Sequence, residues 1–148
     1  MPFVKQPEKG CGAASIAMVL RYWKQNNQTP INPLQIQKVL YSKEADGIYA
    51  TDMEKYFLEQ GFKTFVFRGE VTDLEHHLFK GRPLIVCLGQ QKQPLHYVVV
   101  AGLDVTEGVV LVNDPAERKL MKIPQDQFEQ QWEVKNRWTL LAVPQHAE

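Results

Sequence analysis

The stretch GAASIAMVLRYWKQ, residues 12–25, places Ala13, Ala14, Ile16, Ala17, Met18, Val19, Leu20, Tyr22 and Trp23 around nearly every face of a helix. These residue types suit a helix, and one that is apolar all round belongs at the centre of a core. Working outward, Asn32 followed by Pro33 predicts an N-cap with proline at the first helical position, leading a second helix over residues 34–41. Thr51 and Glu54 form a capping-box pattern for a third helix with Met53, Tyr56, Phe57 and Gln60 at helical spacing, and Gly61 stops it. Thr72 and Glu75 repeat the pattern, with Leu74 and Leu78 inside and Gly81 closing.

After Gly81 the period changes. Residues 84–88, 96–103, 109–113, 120–123 and 138–143 are short runs rich in branched side chains and predict strands. One short helix interrupts them at residues 125–132, marked by Phe128 and Trp132, and residues 62–67 add an edge strand. The connections at 106–108 and 116–118 have hairpin length, so the sheet is largely antiparallel. Helices before residue 82 and strands after it predict an α+β fold, with an N-terminal helical half packed on a C-terminal antiparallel β-sheet.

The chain has 148 residues, which suits a single domain over 1–148. With 44% hydrophobic and 23% charged residues it can bury a core, which excludes a disordered or low-complexity chain. Seventeen Lys plus Arg balance seventeen Asp plus Glu, so no basic surface for nucleic acid is expected. No apolar run nears the roughly 18 residues that span a bilayer, so no membrane span is expected. The first residues carry no secretory signal, which leaves a cytoplasmic chain or an exported one whose signal has been removed. Cys11 and Cys87 form no disulfide framework, and His76, His77, His96 and His146 show no ligand spacing, so no metal is expected.

Cys11 lies between Gly10 and Gly12, where the central helix begins. A helix N-terminus stabilises negative charge and so favours the nucleophilic thiolate, and its free N–H groups can face a developing oxyanion. The flanking glycines leave room for an incoming carbonyl, and Gln6 can offer a side-chain amide to the same oxyanion. Taken alone, a free cysteine is more often a small buried hydrophobe. A thiol nucleophile needs a base, and His96 opens a strand just after the polar loop of residues 89–94. If that strand folds back through a turn near Val105 or Thr106, Asp114 falls directly across from His96, where a carboxylate can hold one imidazole nitrogen. Viewed singly, His96 also reads as a strand-end structural histidine, and Asp114-Pro115 as an ordinary turn. His76 and His77, adjacent on a short helix, point apart and read as surface residues. Cys87 reads as core and His146 as part of a fraying tail, while Tyr22, Trp23, Trp132 and Trp138 read as packing.

Gln6, the run Cys11-Gly12-Ala13-Ala14-Ser15-Ile16-Ala17-Met18-Val19-Leu20-Arg21-Tyr22-Trp23, then His96-Tyr97-Val98-Val99-Val100, then Asn113-Asp114-Pro115-Ala116 together resemble the C39 peptidases, papain-like cysteine peptidases. The likeness runs from Gln6 to about Val143, and three separated motifs agree in order. It implies a papain-like fold and peptide hydrolysis without a cofactor. Cys11 would be the nucleophile, His96 the general base, Asp114 its orienter and Gln6 an oxyanion-hole donor. The implied partner is a peptide or protein substrate. Family members fused to ABC exporters cut leader peptides after a double glycine, whereas C39-like domains that lack the cysteine only bind peptide. A catalytically silent peptide- or protein-binding domain is therefore the alternative. Gly10 stands where exporter-linked members often carry an acidic residue.

Overall fold

The computed structural model describes residues 1–6, 9–24, 31–89 and 96–145. The elements run α1 (Cys11–Trp23), α2 (Pro33–Leu40), α3 (Ala50–Glu59), β1 (Phe62–Arg68), α4 (Val71–Phe79), β2 (Leu84–Leu88), β3 (His96–Asp104), β4 (Val109–Asn113), β5 (Met121–Pro124), α5 (Gln125–Val134) and β6 (Trp138–Pro144). The strands form one sheet in the order β1-β6-β2-β3-β4-β5, every neighbouring pair antiparallel. The α+β reading therefore holds, and β1 is the edge strand expected of residues 62–67.

Strand alternation sorts the core into two layers. Ile85, Cys87, Tyr97, Val99, Leu140 and Ala142 face one way and pack with α1, Ile36 of α2, and Met53 and Phe57 of α3. Leu84, Val86, Leu88, Val98, Val100 and Leu141 face the other way, against Leu74 of α4 and Phe128 and Trp132 of α5. Helices thus cover both faces of the sheet, and α4, though part of the N-terminal half, lies on the face opposite α1. Residues 11–20 of α1 are all buried, as an all-round apolar helix requires.

Asn32 caps α2 as expected, its side chain accepting the Leu34 N–H at 2.9 Å. The other two caps differ from the sequence reading. α3 begins at Ala50 with Tyr49 as N-cap, so Thr51 lies inside the first turn and caps nothing. α4 begins at Val71, and its capping box is Glu70 with Asp73, whose Oδ2 accepts the Glu70 N–H at 2.8 Å. Here two carboxylates serve the orphan donors two residues earlier than the Thr72 and Glu75 pattern does. The expected extension of α1 to Gln25 and the tail at His146 lie outside the described residues, as does most of the loop before His96.

The hairpin that carries the histidine and aspartate also departs in register. The turn between β3 and β4 leaves four residues, 105–108, unpaired, and a bulge at Ala101 adds one residue to β3. Val99 consequently pairs with Asn113, and continuing that register sets Asp114 level with Val98. Asp114 is diagonal to His96, two positions from the direct pairing expected. Because the slip is even, parity along the strands is preserved and the two side chains still meet.

Among the described residues, no helix is long and apolar enough to cross a membrane.

Candidate active site

Three chain segments converge at one end of the sheet. Cys11 is the first residue of α1, with Gly10 as an N-cap that offers no side-chain hydrogen bond. Ala14 is the first residue whose N–H returns to Gly10, at 2.9 Å, so the earlier N–H groups of this turn have no intrahelical acceptor. Gly12 fixes how close this turn comes to the sheet. A Cβ built on it would lie 3.2 Å from Ile48 and 3.3 Å from Tyr97. Tyr97 follows His96 on β3, and its hydroxyl donates to the Ile48 carbonyl at 2.8 Å. The glycine therefore sets the distance between the cysteine-bearing helix and the histidine-bearing strand. Its role is thus larger than the open path for a carbonyl that the sequence suggests.

His96 and Asp114 are each 1% exposed and joined through Nε2 and Oδ2 at 2.9 Å. The second carboxylate oxygen of Asp114 accepts the Ala116 N–H at 2.9 Å, while its own backbone N–H donates to Arg118 at 3.0 Å. Both oxygens are thus committed, and the imidazole is held in one orientation. Nδ1 of His96 is buried and has no nitrogen or oxygen partner among the described residues. With Nε2 taken by Asp114, Nδ1 is the nitrogen left for the Cys11 thiol, which interacts with this ring. Burial opposes charge on His96. The hydrogen bonds to Asp114 and Cys11, with the charges of both, outweigh that and push the imidazole up to about 9.

Gln6 joins this end of the sheet through its backbone, the N–H donating to the Pro115 carbonyl at 3.0 Å, one residue after Asp114. Its side-chain Oε1 is buried without a partner among the described residues. Asn113, which opens the third motif, has no role assigned by the sequence. It is fully buried, its Nδ2 donating to the Pro2 carbonyl at 3.1 Å and lying 3.6 Å from Met18 Sδ, while Oδ1 accepts the Leu120 N–H at 2.9 Å. One side chain thus ties the N-terminal segment, α1 and the β4–β5 connection together beside Asp114. The signal available in the sequence was a lone amide ending the apolar strand VVLVN.

The remaining candidates separate from this cluster. Cys87 lies within β2 opposite Tyr97, and burial pushes its thiol up to about 12. His76 is exposed, but His77 is half-buried with its Nδ1 enclosed, which corrects its reading as a surface residue.

Residues 1–138 match the Peptidase_C39 like family. The chain belongs to this family. Its relatives include the Lactococcin-G-processing and transport ATP-binding protein LagD of Lactococcus lactis subsp. lactis, 32% identical over 129 residues that make up 86% of this chain. The chain spans only 17% of that relative's length. Among solved structures, the peptidase domain of Streptococcus ComA superposes with a TM-score of 0.74 at 19% identity, covering 97% of each chain. A double glycine motif protease from an AMS/PCAT transporter, in complex with the leader peptide, gives 0.75 at 25% identity, covering 97% of this chain and 91% of the other. The papain-like arrangement implied by the sequence motifs is thus the fold of C39 peptidase domains.

Proposed function

We propose that residues 1–148 act as one cysteine peptidase domain in which Cys11, His96, Asp114 and Gln6 perform the hydrolysis of a peptide bond. The Cys11 sulfur attacks the scissile carbonyl carbon, and the resulting oxyanion is received by the Cys11 N–H and the Gln6 amide. The His96 imidazolium gives its proton to the departing amine, leaving a thioester. His96, now neutral, takes a proton from water as it attacks the thioester, and returns it to the cysteine sulfur as the acid leaves. Asp114 holds the ring so that Nδ1 stays on the sulfur side throughout. The observation that carries this reading is the buried His96–Asp114 pair, with its free nitrogen left to a cysteine at the head of a helix.

The proposed substrate is a leader peptide cut after two glycines, since a family relative of the same fold is a double glycine motif protease bound to its leader. A synthetic peptide carrying an apolar leader, Gly-Gly and a short cargo tests this directly by mass spectrometry. Wild-type protein should release the cargo, and Cys11→Ala should do so at least about 10³-fold more slowly with an unchanged circular dichroism spectrum. Equal turnover by the two proteins would refute the assignment of Cys11. A peptide that binds but stays intact would leave the binding-domain alternative standing.

A further inference from the structure

On the far side of the sheet from α1, a cleft of about 570 Å³ lies between α4 and the β1–β6 surface. Its floor comes from paired strands. Phe65 stands opposite Leu141, and Lys63 opposite Val143, with Phe67 two residues further along β1. Phe65 remains 50% exposed, a large apolar side chain left without a cover. The wall is polar and is supplied by Asp73 and His77 of α4 and by Arg82 just beyond it.

Two atoms of that wall are out of balance. Arg82 Nε and His77 Nδ1 are both buried and have no hydrogen-bond partner among the described residues. Arg82 also makes no ion pair among the described residues, so a half-buried guanidinium lines the cleft unpaired. Asp73, the one carboxylate among the described lining residues, accepts the Glu70 N–H through Oδ2 at the head of α4. Lys63 adds a second cation at the rim. Burial, with the Arg82 charge next, keeps His77 below the usual imidazole range, and its enclosed Nδ1 can form one hydrogen bond to a ligand. An apolar floor of this volume with a few convergent donors is the make-up of a small-molecule site, and a planar guanidinium suits a carboxylate.

We propose that this cleft binds a small apolar carboxylate, its chain lying on Phe65, Phe67, Leu141 and Val143 and its head group on Arg82 and His77. The site is separate from the proposed peptidase, since none of Gln6, Cys11, His96 and Asp114 lines the cleft.

Octanoate, with octanamide as its uncharged counterpart, provides the probe pair, read by calorimetry and by amide chemical shifts of the full chain. Octanoate should bind at least ten-fold more tightly than octanamide, with the largest shifts at His77, Arg82 and Lys63. Arg82→Gln should erase that preference, and Phe65→Ser should weaken both ligands about equally. Cys11→Ala should bind octanoate as wild type does, which separates this site from the peptidase assignment. No binding at millimolar octanoate, equal binding of acid and amide, or shifts confined to residues elsewhere would overturn the proposal. The wild-type shift map does not depend on any variant folding.

Discussion

Cys11 and Cys87 belong to the same apolar cluster and are almost equally hidden, with 4% and 3% of their surfaces exposed. What surrounds them differs. Cys87 lies within β2, flanked by Val86 and Leu88, and its charged form is penalised by burial. Cys11 opens a helix whose first N–H groups have no intrahelical acceptors, and it interacts with an imidazole anchored by a buried carboxylate. Under the proposed mechanism, exposure does not distinguish a reactive thiol from an inert one in this fold. Oriented dipoles and a fixed counter-ion do.

The sharpest way to break the comparison is to exchange roles. Cys11→Ala should lower peptide cleavage by at least about 10³-fold, whereas Cys87→Ala should leave cleavage within about two-fold of wild type, as judged by initial rates. Asp114→Asn comes next. It keeps the shape but removes the charge that holds His96, so turnover should fall by roughly 10²- to 10⁴-fold. The imidazole titration, followed by NMR of the ring protons, should move down from about 9 toward the ordinary 6.5.

Stability against pH gives a smaller effect with a defined sign. His96 titrates higher folded than unfolded, so its contribution is fully present below pH 6.5 and is lost as pH rises through 9. Cys87 also holds its proton more tightly when folded, and its contribution is full below 9 and lost toward 12. Urea midpoints should therefore decline in two stages above neutrality, and because burial also raises the Tyr97 hydroxyl, Cys87→Ala should lessen the second stage without removing it. Gly12→Ala sets the smallest change, since the added methyl meets Ile48 and Tyr97 at 3.2 and 3.3 Å. It should cost about 1–2 kcal/mol in denaturant titration. Adding Ile48→Val, which thins that contact, should return part of the loss.

Much of the layout was legible because its causes are local. The all-round apolar run after Cys11 could only be a central helix, and the switch to branched runs after Gly81 marked the strands. The pairing of His96 with Asp114 was legible from the length of one hairpin. Its register was not, because the bulge at Ala101 and the four-residue turn at 105–108 leave no residue signature in GLDVTEG. The caps of α3 and α4 went elsewhere because Ser/Thr-x-x-Glu patterns recur by chance, while backbone entry angle decides which residue serves the free N–H groups. Gly12, Asn113 and the enclosed Nδ1 of His77 depend on contacts between distant segments, which a linear pattern does not encode.

The central claim is that one of two equally hidden thiols is activated by its surroundings. Alkylation with iodoacetamide between pH 5 and 8, followed by peptide mapping, measures both in one sample. Cys11 should be modified far faster than a free cysteine thiol at the acidic end of that range, while Cys87 stays intact in the folded protein. A Cys11 rate equal to that of Cys87, or one that rises only as an ordinary thiol ionises, would contradict the account.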